Sequence, residues 1–280
     1  KTKFRLLPTQ FGIYGGEKIF EWEEVGISTN SMSRDDYIET RKFIFLIEVL
    51  YNSKIFRELE FLIEDYNLSY YDFIFYVYKN IKNFPEDVKG VMESVIKLSF
   101  SELKDSEEDG TKYYSEEKNF KKIEDGEEGN NLKFVHKALL MSRYQEPWLK
   151  FVFSSLKDFL KKNNVKIEED YHDVITFTKC KYDKILDLKN HETIDSLFTY
   201  DVINWINQID RVKPLKEFTK KDKVKIKFIY NKYQIAKREY LFKKFKDNTK
   251  LNLANIIYRF KPQHKILRNY EYVEPISYSS

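Results

Sequence analysis

The sequence is poor in the residues that usually give away a reaction. It has one cysteine, Cys180, in 280 residues. A lone thiol excludes an intrachain disulfide framework. It also excludes a cysteine-ligated zinc or iron–sulfur site built by this chain alone. A reducing compartment, the cytoplasm, is the matching expectation. Glycine numbers eight and proline six, and no GxGxxG, Walker A or GxSxG pattern is written with them. The four histidines, His136, His172, His191 and His264, are too widely spaced for HExxH or any paired-ligand motif. Long apolar runs are missing too. The closest, FIFLIEVLY, is interrupted by Glu48 and falls short of the roughly 18 residues of a membrane-spanning helix. No apolar signal-peptide core opens the chain. Its first residue is Lys and not Met, from which we expect a piece of a longer polypeptide.

What is present is material for a core. Hydrophobic residues make up 42% and aromatics 17%, enough for one large domain or two small ones. Charged residues reach 34%, with Lys+Arg 49 against Asp+Glu 45. The net charge of +4 is too small and too dispersed to mark a nucleic-acid surface.

Hydrophobic periodicity predicts a mainly α fold. It has a bundle-like helical body, a small β element over 1–30 and one further strand near 223–230. KTKFRLLP alternates in period 2 as a half-buried strand, which Pro8 is expected to end. GIYGG then reads as a turn. The residues after it read as strand, so no helix N-terminus is available to hold a phosphate. Ser33 and Asp36 fit a capping box for a helix running to about Tyr51. Ser53 is expected to cap the next helix and Ser69 a third over 70–82, and Pro85 suits the first turn of a fourth. The charged, Gly-punctuated stretch 104–131 reads as a connecting segment with one short helix. DGEEG within it lacks the oxygen-ligand spacing of a calcium loop. Pro147 should break or restart the helical pattern over 132–163. KVKIKFIY alternates strictly, with lysines that would blunt an edge strand. The expected organisation is therefore 1–30, 31–103, 104–131 and 132–280.

The residues themselves select no catalytic group. Cys180 sits between lysines that could lower its pKa, but no motif places a base beside it. Lysines interleaved with aromatics over 223–246 could bind nucleic acid weakly, a partner the charge balance disfavours.

Several phrases taken together carry more. TKFRLLPTQFGIYGG, EEVGISTNSMSRDDYIETRKF, DGEEGNNL and YDVINWINQ…KPLKEF resemble the region that follows the catalytic barrel in cobalamin-dependent radical-SAM proteins. The likeness runs from residue 1 to about 220. It implies an accessory, substrate-covering region joined to an upstream barrel of the same polypeptide. The [4Fe–4S] cluster, S-adenosylmethionine and cobalamin sites would lie in that upstream part, since this chain lacks both the CxxxCxxC and the DxHxxG motifs. Family members often carry Arg and Cys where Thr9 and Gln10 stand. On this reading residues 1–30 cover the barrel rim and Arg5, Gln10 and Tyr14 face the substrate side. Asn130, Tyr200, Asp201 and Trp205 match recurring family positions. Their structural alternatives are a helix cap for Asn130 and core for Trp205. The competing reading is a non-catalytic helical module that binds a protein or nucleic acid.

Overall fold

The computed structural model describes residues 1–129, 132–182, 191–245, 250–260 and 263–273. In chain order these form β1 (Thr2–Tyr14), β2 (Glu17–Gly26), α1 (Arg34–Ile47), α2 (Arg57–Asp65), α3 (Tyr70–Lys79), α4 (Glu86–Ser101), β3 (Leu103–Lys104), α5 (Glu107–Ser115) and α6 (Glu117–Glu124). There follow α7 (Leu132–Met141), α8 (Gln145–Lys162), α9 (Glu169–Tyr182), β4 (Ile194–Tyr200), α10 (Val202–Ile206), β5 (Thr219–Ile229), α11 (Lys232–Lys244), α12 (Lys250–Tyr258) and β6 (Asn269–Tyr272). The fold is mainly α with two small antiparallel sheets, ordered β2-β1-β3 and β4-β5-β6. No helix among the described residues is long and apolar enough to cross a membrane.

The chain separates into two compact units, each assembled from three segments: 1–49, 80–148 and 243–259 in one, 50–79, 149–242 and 260–280 in the other. This differs from the sequential division that composition suggests. Charge runs mark solvated surface, whereas a unit is defined by contacts between distant segments.

In the first unit β1 and β2 form a hairpin closed by Gly15 and Gly16, whose φ values of +61° and +88° fit a two-residue turn of the mirror-image type. GIYGG is thus a turn, as expected. Pro8 does not end β1. The register shifts between Leu6 and Phe11, and this irregularity absorbs a residue with no N–H to donate. The hairpin's inner face seats Leu6, Phe11, Phe20 and Trp22 against Tyr114, Phe120 and Ile123. The described part of the stretch, 104–129, is therefore a packed part of this unit: α5 and α6 supply the cover for the sheet. Trp22 stacks on Tyr114 at 6.1 Å between ring centroids and donates from Nε1 to Thr111 Oγ1 at 3.1 Å. The ring passes so close to α5 that a Cβ on Gly110 would lie 2.1 Å from it.

Ser33 caps α1 with the expected box, its Oγ accepting from Asp36 N at 3.1 Å while the Asp36 carboxylate accepts from Ser33 N at 2.8 Å. Hydrogen bonds donated by the Ser33 N–H and the Ser33 hydroxyl hold the Asp36 carboxyl below its usual range. One face of α1 is buried through Tyr37, Ile38, Phe45 and Leu46, but Ile44 is exposed, so the helix is less enclosed than its composition suggests. Elsewhere in the unit α7 packs against α4 and α12, with Phe134 on Tyr258 at 5.0 Å.

In the second unit Ser53 does not cap a helix. It is buried, and α2 begins at Arg57 with no side-chain cap. Ser69 does cap α3, accepting from Asp72 N at 3.3 Å. The α9 helix backs the sheet, with Phe177 against Phe198 at 5.9 Å, Phe228 at 5.1 Å and Tyr270 at 4.8 Å. Alternation in β5 buries Ile226 and Phe228 as predicted. The strand is central and not an edge, and its lysines reach across to neighbours: Lys225 to Asp195 and Lys227 to Glu271, both at 2.8 Å.

Candidate functional site

The residues singled out from sequence fall in both units. In the first, Arg5 on β1 is committed to structure. Its Nε donates to Glu23 at 2.8 Å and its Nη1 to Glu102 at 3.3 Å, while Arg41 reaches the same Glu102 oxygen at 2.8 Å. Burial opposes the Arg5 charge, but Glu102 and Glu23 outweigh it and the guanidinium is held more firmly protonated. Burial raises the Glu102 carboxyl, with the two arginines acting against it. Gln10 is exposed. Tyr14 beside the hairpin turn is 68% exposed, in company with Ile13 at 60% and Ile19 at 45%. Asn130 lies outside the described residues.

In the second unit Tyr200, Asp201 and Trp205 come together at the start of α10, where Trp205 N donates to the Asp201 carbonyl at 3.1 Å. Asp201 is a buried N-cap: Oδ1 accepts from Asn204 N at 3.1 Å and from the Tyr272 hydroxyl at 2.6 Å, and Lys220 stands 3.3 Å from Oδ2. Burial and the Asp201 bond both raise the Tyr272 phenol. Trp205 is fully buried and its Nε1 donates to Asp65 at 2.8 Å. Asp65 is a hub, for Leu215 N donates to it at 2.7 Å and Arg211 at 3.2 Å. Arg211 in turn lies over the Phe61 ring at 3.7 Å. Tyr200 is half-buried, and its backbone N–H donates to Asp173 at 2.8 Å. Burial raises the Asp173 carboxyl to about 6 against the hydrogen bonds from Tyr200 and Thr199.

The buried carboxylates therefore have structural partners. Glu58 takes Lys181, Glu102 takes Arg5 and Arg41, and Asp170 takes Tyr66. Asp173 and Asp201 cap backbone. Among the described residues no three His, Cys, Asp or Glu side chains gather as a metal site. Cys180 on α9 is half-buried. One cysteine cannot supply the three thiolates of a radical-SAM cluster, so this chain's donor set does not fit that group.

Sequence reasoning missed a cleft of about 580 Å³ in the second unit. The first turn of α2 brings Arg57 and Glu58 to it, and Phe61 follows one turn on. The end of α9 brings Lys181. The helical turn Gln263–Ile266 brings His264 and Lys265, Arg268 follows it, and β6 brings Tyr270. Gln234 on α11 fixes this last wall, donating from Nε2 to the carbonyls of Lys265 at 2.9 Å and Leu267 at 2.8 Å. Arg268 N donates to the Lys181 carbonyl at 3.0 Å and ties two walls together. Five Lys or Arg residues line the cleft against two Glu. No sequence signal marked it, because its walls come from positions near 57, 181 and 265.

Compared with protein-family models and with curated proteins, the chain matches none.

Proposed function

We propose that this chain is an accessory, substrate-covering region of a cobalamin-dependent radical-SAM enzyme, the reading its sequence phrases suggest. The observation that best supports it is the β1–β2 hairpin. One face is filled by α5 and α6. The tip leaves Ile13, Tyr14 and Ile19 exposed, and beyond Arg5 the second edge of β1 pairs with no strand among the described residues. An open edge with apolar side chains is a surface suited to another sheet or barrel rim. The use of the buried carboxylates as caps and ion pairs agrees with a role in shielding rather than in proton transfer. Shielding matters beside radical chemistry, because excluding water suppresses side reactions.

The test is to extend the polypeptide upstream of Lys1 and reconstitute it with iron and sulfide. The longer protein is expected to show a [4Fe–4S] signal by EPR and to cleave S-adenosylmethionine, while 1–280 does neither. A stoichiometric cluster on 1–280, or an upstream sequence without a three-cysteine motif, would overturn the reading.

A further inference from the structure

The geometry points to a second, separate role: the cleft of the second unit is a binding site for a small multivalent anion carrying phosphoryl or carboxylate groups. It concerns residues other than the hairpin and stands or falls independently of the accessory reading.

The size is right for a small molecule. About 580 Å³ lies within the roughly 300–1,000 Å³ of such sites. The charge is one-sided once internal pairs are set aside. Glu58 is held by Lys181, and Glu60 by Lys54 at 3.2 Å. Arg57 and Lys265 line the same space and have no carboxylate within ion-pair distance among the described residues. Arg57 lies over the Phe61 ring at 4.7 Å, which orients its guanidinium without neutralising it. Both side chains are exposed and can meet a ligand from water.

His264 stands among the same cations. Its imidazole is pushed below its ordinary value, first by burial and then by Lys181, Lys265 and Arg57, with Glu58 opposing weakly. Of these cations, Arg57 and Lys265 are not taken up by carboxylates among the described residues and are placed to attract an anion. The walls are also fixed in advance. Gln234 pins the carbonyls on either side of Ile266, and the Glu58–Lys181 pair is buried at the junction of α2 and α9. A preformed wall reduces the ordering cost of binding. The volume argues against a polymeric anion as the primary ligand, and the test includes one.

The full chain is titrated with pyrophosphate, citrate and a single-stranded RNA by calorimetry at physiological salt. Pyrophosphate or citrate is expected to bind saturably, and the tighter of the two tells phosphoryl from carboxylate. The double variant Arg57→Gln/Lys265→Gln is expected to weaken that binding roughly tenfold or more. Lys220→Gln/Lys221→Gln removes the same charge elsewhere and should leave it unchanged. NMR titration of His264 is expected to show its pKa rising when the anion is bound. Absence of saturable binding to both small anions would overturn the proposal. So would equal weakening by the two double variants, an unmoved His264, or RNA binding tighter than either small anion through Arg57 and Lys265.

Discussion

The two small sheets finish their outer surfaces in opposite ways. Each has three antiparallel strands and one face packed on helices. In the β4-β5-β6 sheet the solvent face carries the cross-strand pairs Lys225–Asp195 and Lys227–Glu271, with Lys225 opposite the exposed Leu197. Lysine stems lie over apolar surface while their ammonium groups stay in water. In the β2-β1-β3 sheet the tip leaves Ile13, Tyr14 and Ile19 open although Lys18 beside them pairs with Glu117 at 2.8 Å, and further ion pairs stand at the other end among Arg5, Glu23 and Glu102. The contrast teaches that period-2 alternation tells which residues point inward, but what stands on the outward positions tells whether a sheet is finished. By that measure the first sheet is the one suited to a partner.

Breaking the inner faces should cost most. Phe228→Ala empties the centre of the second sheet, where Phe177 and Phe198 meet the ring. A loss of about 3–5 kcal/mol is expected in urea unfolding. The matching change beneath the first sheet is Gly110→Ala on α5. The added methyl would strike the Trp22 ring, and a loss of roughly 1–3 kcal/mol is expected despite the better helix propensity of alanine. Displacement of Trp22 should be read as a shift in tryptophan fluorescence, which an innocuous substitution would not produce.

Asp173 sharpens the comparison through pH. It caps the end of β4 from α9, and its folded pKa of about 6 lies above the ordinary 3.8. The folded state therefore binds the proton first as pH falls, so this carboxyl contributes increasing stability from pH 7 toward pH 5. Asp173→Asn has no proton to bind and should lose that contribution. Urea midpoints at the two pH values should rise more for the wild type than for the variant, and parallel profiles would contradict the assignment. The smallest effects belong to the outer faces. Lys225→Gln should cost about 0–1 kcal/mol, and Ile13→Lys should change stability within about 0.5 kcal/mol.

Local physics was legible in the sequence. The Ser33–Asp36 box, the Gly15–Gly16 turn and the alternation of β5 are each decided by residues within a few positions of one another, and each stands in the structure. Pro8 shows where local rules stop, since a register shift in the hairpin carries the strand past it. Ser53 offered a cap, but α2 begins at Arg57. The charged stretch 104–131 looked like a linker because its polar residues outnumber Tyr114, Phe120 and Ile123, the three that fasten it to the hairpin. The basic cleft was illegible for a related reason. Its cations are ordinary lysines and arginines in sequence, and only the fold sets Arg57 and Lys265 around one space.

The comparison between the sheets is tested most directly by amide hydrogen exchange on the hairpin, in 1–280 and in a polypeptide extended upstream. The account predicts that the outward edge and tip, Phe11 to Ile19, exchange readily in 1–280 and become protected in the longer protein, with β4 to β6 unchanged. Equal exchange at the hairpin tip in the two proteins would contradict it.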